Sequence, residues 1–193
     1  LGTSQADKEK HHDRIVAAAA TMVRERGLDG IGVADLMKEA GLTHGGFYRH
    51  FDSREDLIDE AVERALGEGT KRVATVPKVP EKSRFRTIVD GYLSIAHRNS
   101  PGSGCAVAAL SSEARRGGKR VRQAYTRQVK LYISLLEELI GGHRRSVVRR
   151  DSVLVLSALV GAVAMARSVD NDQLSRDILS DTAEALKSLF AGD

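Results

Sequence analysis

The sequence is poor in cysteine, proline and tryptophan. It has one cysteine, Cys105, three prolines and no tryptophan. A single thiol excludes an intramolecular disulfide framework and fits a reducing compartment. The segment from Leu1 to Lys10 is polar and lacks the apolar stretch of a secretory signal. The longest apolar stretch, Val153 to Ala166, contains Ser157 and is shorter than the roughly 18–20 residues a membrane span needs. No Gly-rich phosphate loop, nucleophile–base arrangement or metal-ligand spacing is present, which argues against an enzyme and calls for no cofactor and no metal. These absences point to a cytoplasmic protein with no membrane partner.

What is present is the composition of a folded domain, with 41% hydrophobic and 29% charged residues. Ala, Leu, Arg and Glu are frequent, so a helical class is expected. The net charge of +4 invites a nucleic-acid reading, but its distribution weakens that inference. Residues 1–70 carry −5, residues 71–150 carry +13 and residues 151–193 carry −4. The basic excess therefore lies in the middle of the chain, and local arrangement must carry any argument about DNA.

Apolar periodicity predicts about nine helices and no strand. The first runs from Asp7 to Arg26, with Ile15, Ala18, Ala19, Met22 and Val23 on one face and Gly27 as its stop. Two short helices follow, Val33–Ala40 and His44–His50, separated by Gly41 and capped at the second by Thr43. Ser53 and Asp56 form the start of the next helix, which carries Leu57, Ile58, Ala61, Val62, Ala65 and Leu66. Thr70 to Lys82, with Pro77 and Pro80, reads as a loose connection. Later helices are expected at Phe85–Ala96, Cys105–Arg115, Val121–Leu139, from a cap at Asp151 or Ser152 through Ala166, and from a cap at Ser175 through Phe190.

The segment Val33–Phe51 has the parts of a helix-turn-helix: two short helices, a turn that tolerates positive φ at Gly41, and an inner face closed by Phe47 and Phe51. His44, Gly45, Tyr48 and Arg49 would then face outward. Two adjacent glycines in so short a helix each cost about 1 kcal/mol relative to alanine. Close approach of the backbone to DNA offsets that cost at Gly45. At Gly46, DNA approach and packing against Met37 are equally good explanations.

The run from Gly27 to Leu57, above all Phe47-Tyr48-Arg49-His50-Phe51 followed by Ser53-Arg54-Glu55-Asp56-Leu57, closely resembles the DNA-binding domain of TetR-family transcriptional regulators. The resemblance covers roughly Ile15 to Ala61. It implies an all-α fold, with a DNA-binding domain over residues 1–54 and an effector-binding and dimerisation domain over 55–193. It further implies that Thr43, Tyr48, His50 and Arg54 contact phosphates, that His44 and Gly45 face base edges, and that Gly46 and Arg49 lie on the same interface. Hydroxyl, imidazole, guanidinium and helix N-terminal groups all suit phosphate oxygens. Gly32 stands where the family often has threonine, so a hydroxyl–phosphate contact is missing.

The same resemblance implies a four-helix dimer interface, expected at Leu154, Ala158, Gly161, Ala162, Met165, Leu186 and Leu189, whose small residues permit close helix approach. Two recognition helices would then meet a pseudo-palindromic double-stranded DNA operator. A pocket for an unknown small-molecule effector is expected among Tyr92, His97, Cys105, Leu110, Tyr125, Gln128, Tyr132 and Met165, which mix apolar walls with polar tips. Cys105 reads as an inert buried thiol rather than a redox sensor. The basic run Arg115, Arg116, Lys119, Arg120 and Arg122 reads as a solvated face, and His11-His12 as surface. The function expected is that of a repressor released from its operator by an effector. A constitutive or architectural DNA-binding protein is the alternative, and an enzyme a remote one.

Overall fold

The computed structural model describes residues 5–74, 81–141 and 145–190. Among these there are nine α-helices and no strand. They are α1 (Gln5–Arg26), α2 (Val33–Glu39), α3 (Arg54–Ala74), α4 (Glu81–Tyr92), α5 (Ile95–Asn99), α6 (Ala106–Ala109), α7 (Lys119–Ile140), α8 (Arg145–Ser168) and α9 (Asp172–Phe190). Short 3₁₀ segments lie at His44–Arg49 and Pro101–Ser103. No helix of the described residues is long and apolar enough to cross a membrane.

The N-terminal helices pack around α1. Its stripe of Ile15, Ala19, Met22 and Val23 is buried, as are Leu57, Ala61, Val62 and Ala65 of α3, the helix against which it packs most extensively. Each large side chain removed from water this way contributes about 1.5–3 kcal/mol. Gly27 ends α1 with φ +76, and the next backbone N–H, that of Leu28, donates to the Glu113 carboxylate at 2.6 Å. Ser53 starts α3 as expected: Asp56 N–H donates to Ser53 Oγ at 3.0 Å, and that hydroxyl donates to Asp56 Oδ2 at 2.9 Å. α3 then continues into the second half of the molecule, where α7 packs against it. α8 lies between α7 and α9, and α4 closes the other side of α9, with Phe85 edge-on to Phe190.

Several boundaries differ from the sequence expectations. α3 runs through Thr70 to Ala74; Pro77 and Pro80 lie outside the described residues. The helix expected over Phe85–Ala96 breaks at Leu93, because Ser94 caps a new helix by accepting from His97 N–H at 3.1 Å. The one expected over Cys105–Arg115 is a single α-turn, Ala106–Ala109, followed by turns. α8 is already helical at Arg145, and Ser152 sits inside it with Oγ donating to the Val148 carbonyl. The cap of α9 is Asn171, whose Oδ1 accepts from Leu174 N–H at 2.8 Å. Ser175 is buried inside that helix, donating to the Ala166 carbonyl.

Candidate nucleic-acid interface

The turn between α2 and the 3₁₀ segment is set by Gly41, at φ +68. Leu42 N–H then reaches the Met37 carbonyl at 2.8 Å and Gly41 N–H that of Lys38 at 2.9 Å, closing the C-terminus of α2. The second helix of the pair is 3₁₀ rather than α. Its two glycines weaken the α alternative, and the tighter winding keeps Phe47 buried under the segment. Phe47 stacks on Phe51 at 5.5 Å, and Phe51 on His12 of α1 at 4.6 Å.

This anchoring presents the opposite side to solvent. Tyr48 is 73% exposed, its ring standing edge-on against Phe47. Thr43, His44, Gly45 and Arg49 are exposed beside it, while Gly46 and His50 are half-buried. Thr43 occupies the N-cap position with extended backbone but makes no side-chain capping bond, contrary to expectation. A methyl group built on Gly45 would meet no atom within 4 Å. On Gly46 it would meet Met37 Cε at 3.5 Å, an ordinary contact. Packing therefore demands glycine at neither position.

Arg54 has a role the sequence did not show. Its Nε donates to the Ile31 carbonyl at 3.1 Å and a terminal nitrogen to that of Leu28 at 2.7 Å. It clamps the segment joining α1 to α2. His50 is also engaged by its surroundings. Its ring lies 6.4 Å from that of His11 and 6.1 Å from that of His12, and its buried Nδ1 has no hydrogen-bond partner. Burial first, then the neighbouring His12, His11, Lys8 and Arg49, hold its pKa below the ordinary value. Lys8, His11, Thr43, Gly46, Arg49 and His50 line one notch of about 470 Å³ beside the 3₁₀ segment. Lys8 and His11 were not among the expected site residues; their spacing on α1 carries no sign of a neighbour some 40 residues away.

In the C-terminal half a cavity of about 500 Å³ is lined by Tyr92, His97, Cys105 and Tyr132, as expected, and by Leu135, Leu136, Leu139, Leu156 and Leu159. The other four expected residues lie elsewhere. Leu110 is fully buried in the core. Tyr125 donates to the Val107 carbonyl at 3.0 Å. Gln128 is buried with its amide on the Thr70 hydroxyl at 3.0 Å. Met165 is 54% exposed on the outside. His97 stitches the cavity wall: Cys105 N–H donates to its Nε2 at 2.9 Å, so Nδ1, 2.6 Å from the Tyr92 carbonyl, is the donor there. Burial, followed by Cys105, pushes the Tyr125 hydroxyl pKa up, and burial dominates a larger rise at Tyr92.

α8 leaves part of its apolar surface open. Leu154 is 52% exposed, Ala158 and Gly161 are half-buried, and Met165 completes the same face at helical spacing. On α9, Leu174 and Leu189 are exposed, Leu189 by 69%. Ala162 and Leu186, expected in the dimer interface, are buried inside the chain's own core. They point inward because each follows an outward position by a single residue, a rotation of roughly 100°.

Comparison with known proteins matches residues 15–61 to the family described as "Bacterial regulatory proteins, tetR family". The HTH-type transcriptional repressor KstR2 of Rhodococcus jostii is 40% identical over 53 residues, 28% of this chain and 26% of that protein. Other relatives of this kind are matched over about a quarter to a third of their own length. An uncharacterized HTH-type transcriptional regulator of Mycobacterium tuberculosis is 28% identical over 165 residues, 80% of this chain and 83% of the relative. Among solved structures, a TetR-family transcriptional regulator of Cytophaga hutchinsonii superposes with a TM-score of 0.80 at 20% identity, covering 100% of this chain and 98% of that one.

Proposed function

We propose that this chain, whose residues 15–61 match the TetR family of bacterial regulatory proteins, is a transcriptional repressor that binds a pseudo-palindromic DNA operator as a homodimer and leaves it on binding a small molecule. The observation that carries the DNA reading is the exposed row Thr43, His44, Gly45, Tyr48 and Arg49 over the buried Phe47. A hydroxyl, an imidazole, a phenol and a guanidinium on one solvent-facing segment suit phosphates and base edges. Gly45, which no internal contact requires, lets the backbone approach the groove. Lys8, His11 and His50 extend the same surface toward the N-terminus of α1.

Dimerisation is supported by the open apolar face of Leu154, Ala158, Gly161 and Met165 on α8 together with Leu189 on α9. Two copies joined there would present two recognition segments to half-sites about 34–36 Å apart, or a multiple of that. The cavity walled by Tyr92, Cys105 and Tyr132 is the proposed effector site. An effector acts there by favouring a conformation in which the two segments no longer match the operator.

The reading is tested by selecting bound duplexes from a random pool and sedimenting the chain with the enriched sequence. Enrichment of an inverted repeat and a complex of two chains, or two pairs, per duplex is expected. Enrichment of no sequence over the pool, with weak binding to all duplexes alike, would favour the architectural alternative.

A further inference from the structure

The cavity in the C-terminal half is walled by leucines and by several hydroxyls, of which those of Thr87, Ser94 and Ser103 already donate to backbone carbonyls. Leu135, Leu139 and Leu156 belong to its wall, and no Asp, Glu, Lys or Arg is among the described residues that line it. Tyr92 also lines it, and its hydroxyl is a buried polar oxygen with no oxygen or nitrogen hydrogen-bond partner. The Cys105 thiol lies beside it as a side-chain hydrogen-bond neighbour, but sulfur is a weak acceptor and leaves the hydroxyl without an oxygen or nitrogen partner. His97 cannot serve as that partner, since both its ring nitrogens are taken by backbone groups of Tyr92 and Cys105.

A buried donor without an acceptor is costly, and native structures leave few of them. A phenol that burial keeps protonated can donate its hydrogen to a guest. Guests of about the right size bind in cavities of roughly 300–1,000 Å³, and this one is about 500 Å³. An ammonium or a carboxylate would meet no opposite charge among these lining residues. The Arg167 guanidinium, which acts on Tyr92 and Cys105 without lining the cavity, already donates to the His97 and Arg98 carbonyls, so a charged guest would be poorly compensated for its lost hydration.

We propose that this cavity takes an uncharged, largely apolar molecule bearing one hydrogen-bond acceptor, a carbonyl oxygen, which receives the hydrogen bond of the Tyr92 hydroxyl. The leucine wall accepts the hydrocarbon portion. The His97 clip fixes the backbone at Tyr92 and at Cys105, so the hydroxyl is held in place before the guest arrives. This inference rests on reading the cavity as the effector site and names the chemistry of its ligand.

The test uses the full chain and four probes of equal chain length: decan-2-one, dec-1-ene, decanoate and decylammonium. Titration calorimetry at pH 7 is expected to show the ketone binding at least tenfold more tightly than either ion. Tyr92→Phe should weaken ketone binding about 3–10-fold, the loss of one neutral hydrogen bond, and leave the alkene unchanged. Leu156→Trp, which fills the cavity, should abolish ketone binding while circular dichroism stays that of the parent. Equal binding of decanoate or decylammonium, an unaltered ketone affinity in Tyr92→Phe, ketone binding that survives Leu156→Trp, or no binding by any probe would each overturn the assignment. Adding the enriched duplex separates this inference from the reading it rests on. Ketone binding with the expected selectivity but no release of DNA leaves the ligand chemistry standing and removes the effector role. Release by decanoate and not by the ketone keeps the effector role and overturns the chemistry.

Discussion

Arg24 on α1 and Gly102, 78 residues later, are joined by a hydrogen bond from Nε to the carbonyl oxygen at 2.5 Å. The same guanidinium reaches the Ala65 carbonyl at 3.3 Å and Glu68 Oε2 at 2.8 Å, and its side chain is only 3% exposed. One residue of the N-terminal unit thus holds α3 and the turn that leads to Cys105. On the far side of that turn, Arg167 of α8 donates to the carbonyls of His97 and Arg98. These two arginines connect α1, α3, the turn before Cys105, the segment at His97 and α8.

Arg24→Met is expected to lower the unfolding free energy by about 2–4 kcal/mol, measured by urea titration. Breaking a fully buried pair costs roughly 3–5 kcal/mol. The lower figure applies because Glu68 is partly in water and keeps Arg64 as a partner. A change below about 0.5 kcal/mol would remove Arg24 from this role.

Gly45 and Gly41, in the 3₁₀ segment and the turn before it, allow folding and binding to be tested apart. Gly45→Ala is expected to leave the unfolding midpoint unchanged or slightly higher, since nothing stands within 4 Å of the new methyl. It should nevertheless weaken DNA binding by tenfold or more. Gly41→Ala should lower stability by about 1–2 kcal/mol, because its φ of +68 is strained for a side chain. Arg14 also stands 2.9 Å from the added carbon. Chemical denaturation and fluorescence anisotropy with a labelled duplex measure the two effects independently.

Much of this site could be read from the sequence because its determinants are local. Gly41, Phe47, Phe51 and the Ser53–Asp56 cap act over four to ten residues, and each took its expected place apart from the 3₁₀ winding. The clamp of Arg54 and the buried pair of Arg24 could not be read, since their partners lie 23 to 78 residues away. Periodicity gave the faces of α7 but not what lies against each. Tyr132 faces the cavity while Gln128, one turn earlier, meets Thr70. The start of α8 was hidden because its first turns are polar; Arg149 there pairs with Glu137 of α7 instead of entering the core. At α9 two capping residues, Asn171 and Ser175, stand one turn apart, and only tertiary packing decides that Ser175 is inside.

His50 should make stability and DNA affinity respond to pH in opposite directions. Its folded pKa lies below 6.5, so the unfolded chain takes up a proton first as pH falls. The stability contributed by the neutral ring is complete above about pH 6.5 and is lost as pH drops through the folded value. The charged groups around it are Lys8, His11 and His12 of α1 and Arg49 beside it, with Glu60 of α3 paired to His12. A DNA phosphate would favour the protonated His50 ring, so affinity should rise from pH 7 to pH 5.5 at constant ionic strength. His50→Gln should reduce that slope and abolish part of the acid loss of stability. Parallel slopes in parent and variant would show that His50 does not take part.

Met165→Glu with Leu189→Glu should convert the chain to a monomer in sedimentation velocity experiments, with helix content unchanged, because both side chains are exposed in the single chain. Ala162→Glu, by contrast, places a charge in the chain's own core and should unfold it. A double variant that sediments as the parent does would place the interface on another face.

The most direct test of the account compares Tyr48→Ala and His44→Ala with the parent, each against the selected operator and against single-base variants of it. Tyr48→Ala, removing a 73% exposed ring, is expected to keep the parent's unfolding midpoint and to weaken binding to every duplex alike, by tenfold or more. His44→Ala should instead relax discrimination at one base position of each half-site. Parent-like affinity and discrimination in both variants would contradict the claim that the segment from Thr43 to His50 is the surface that meets DNA.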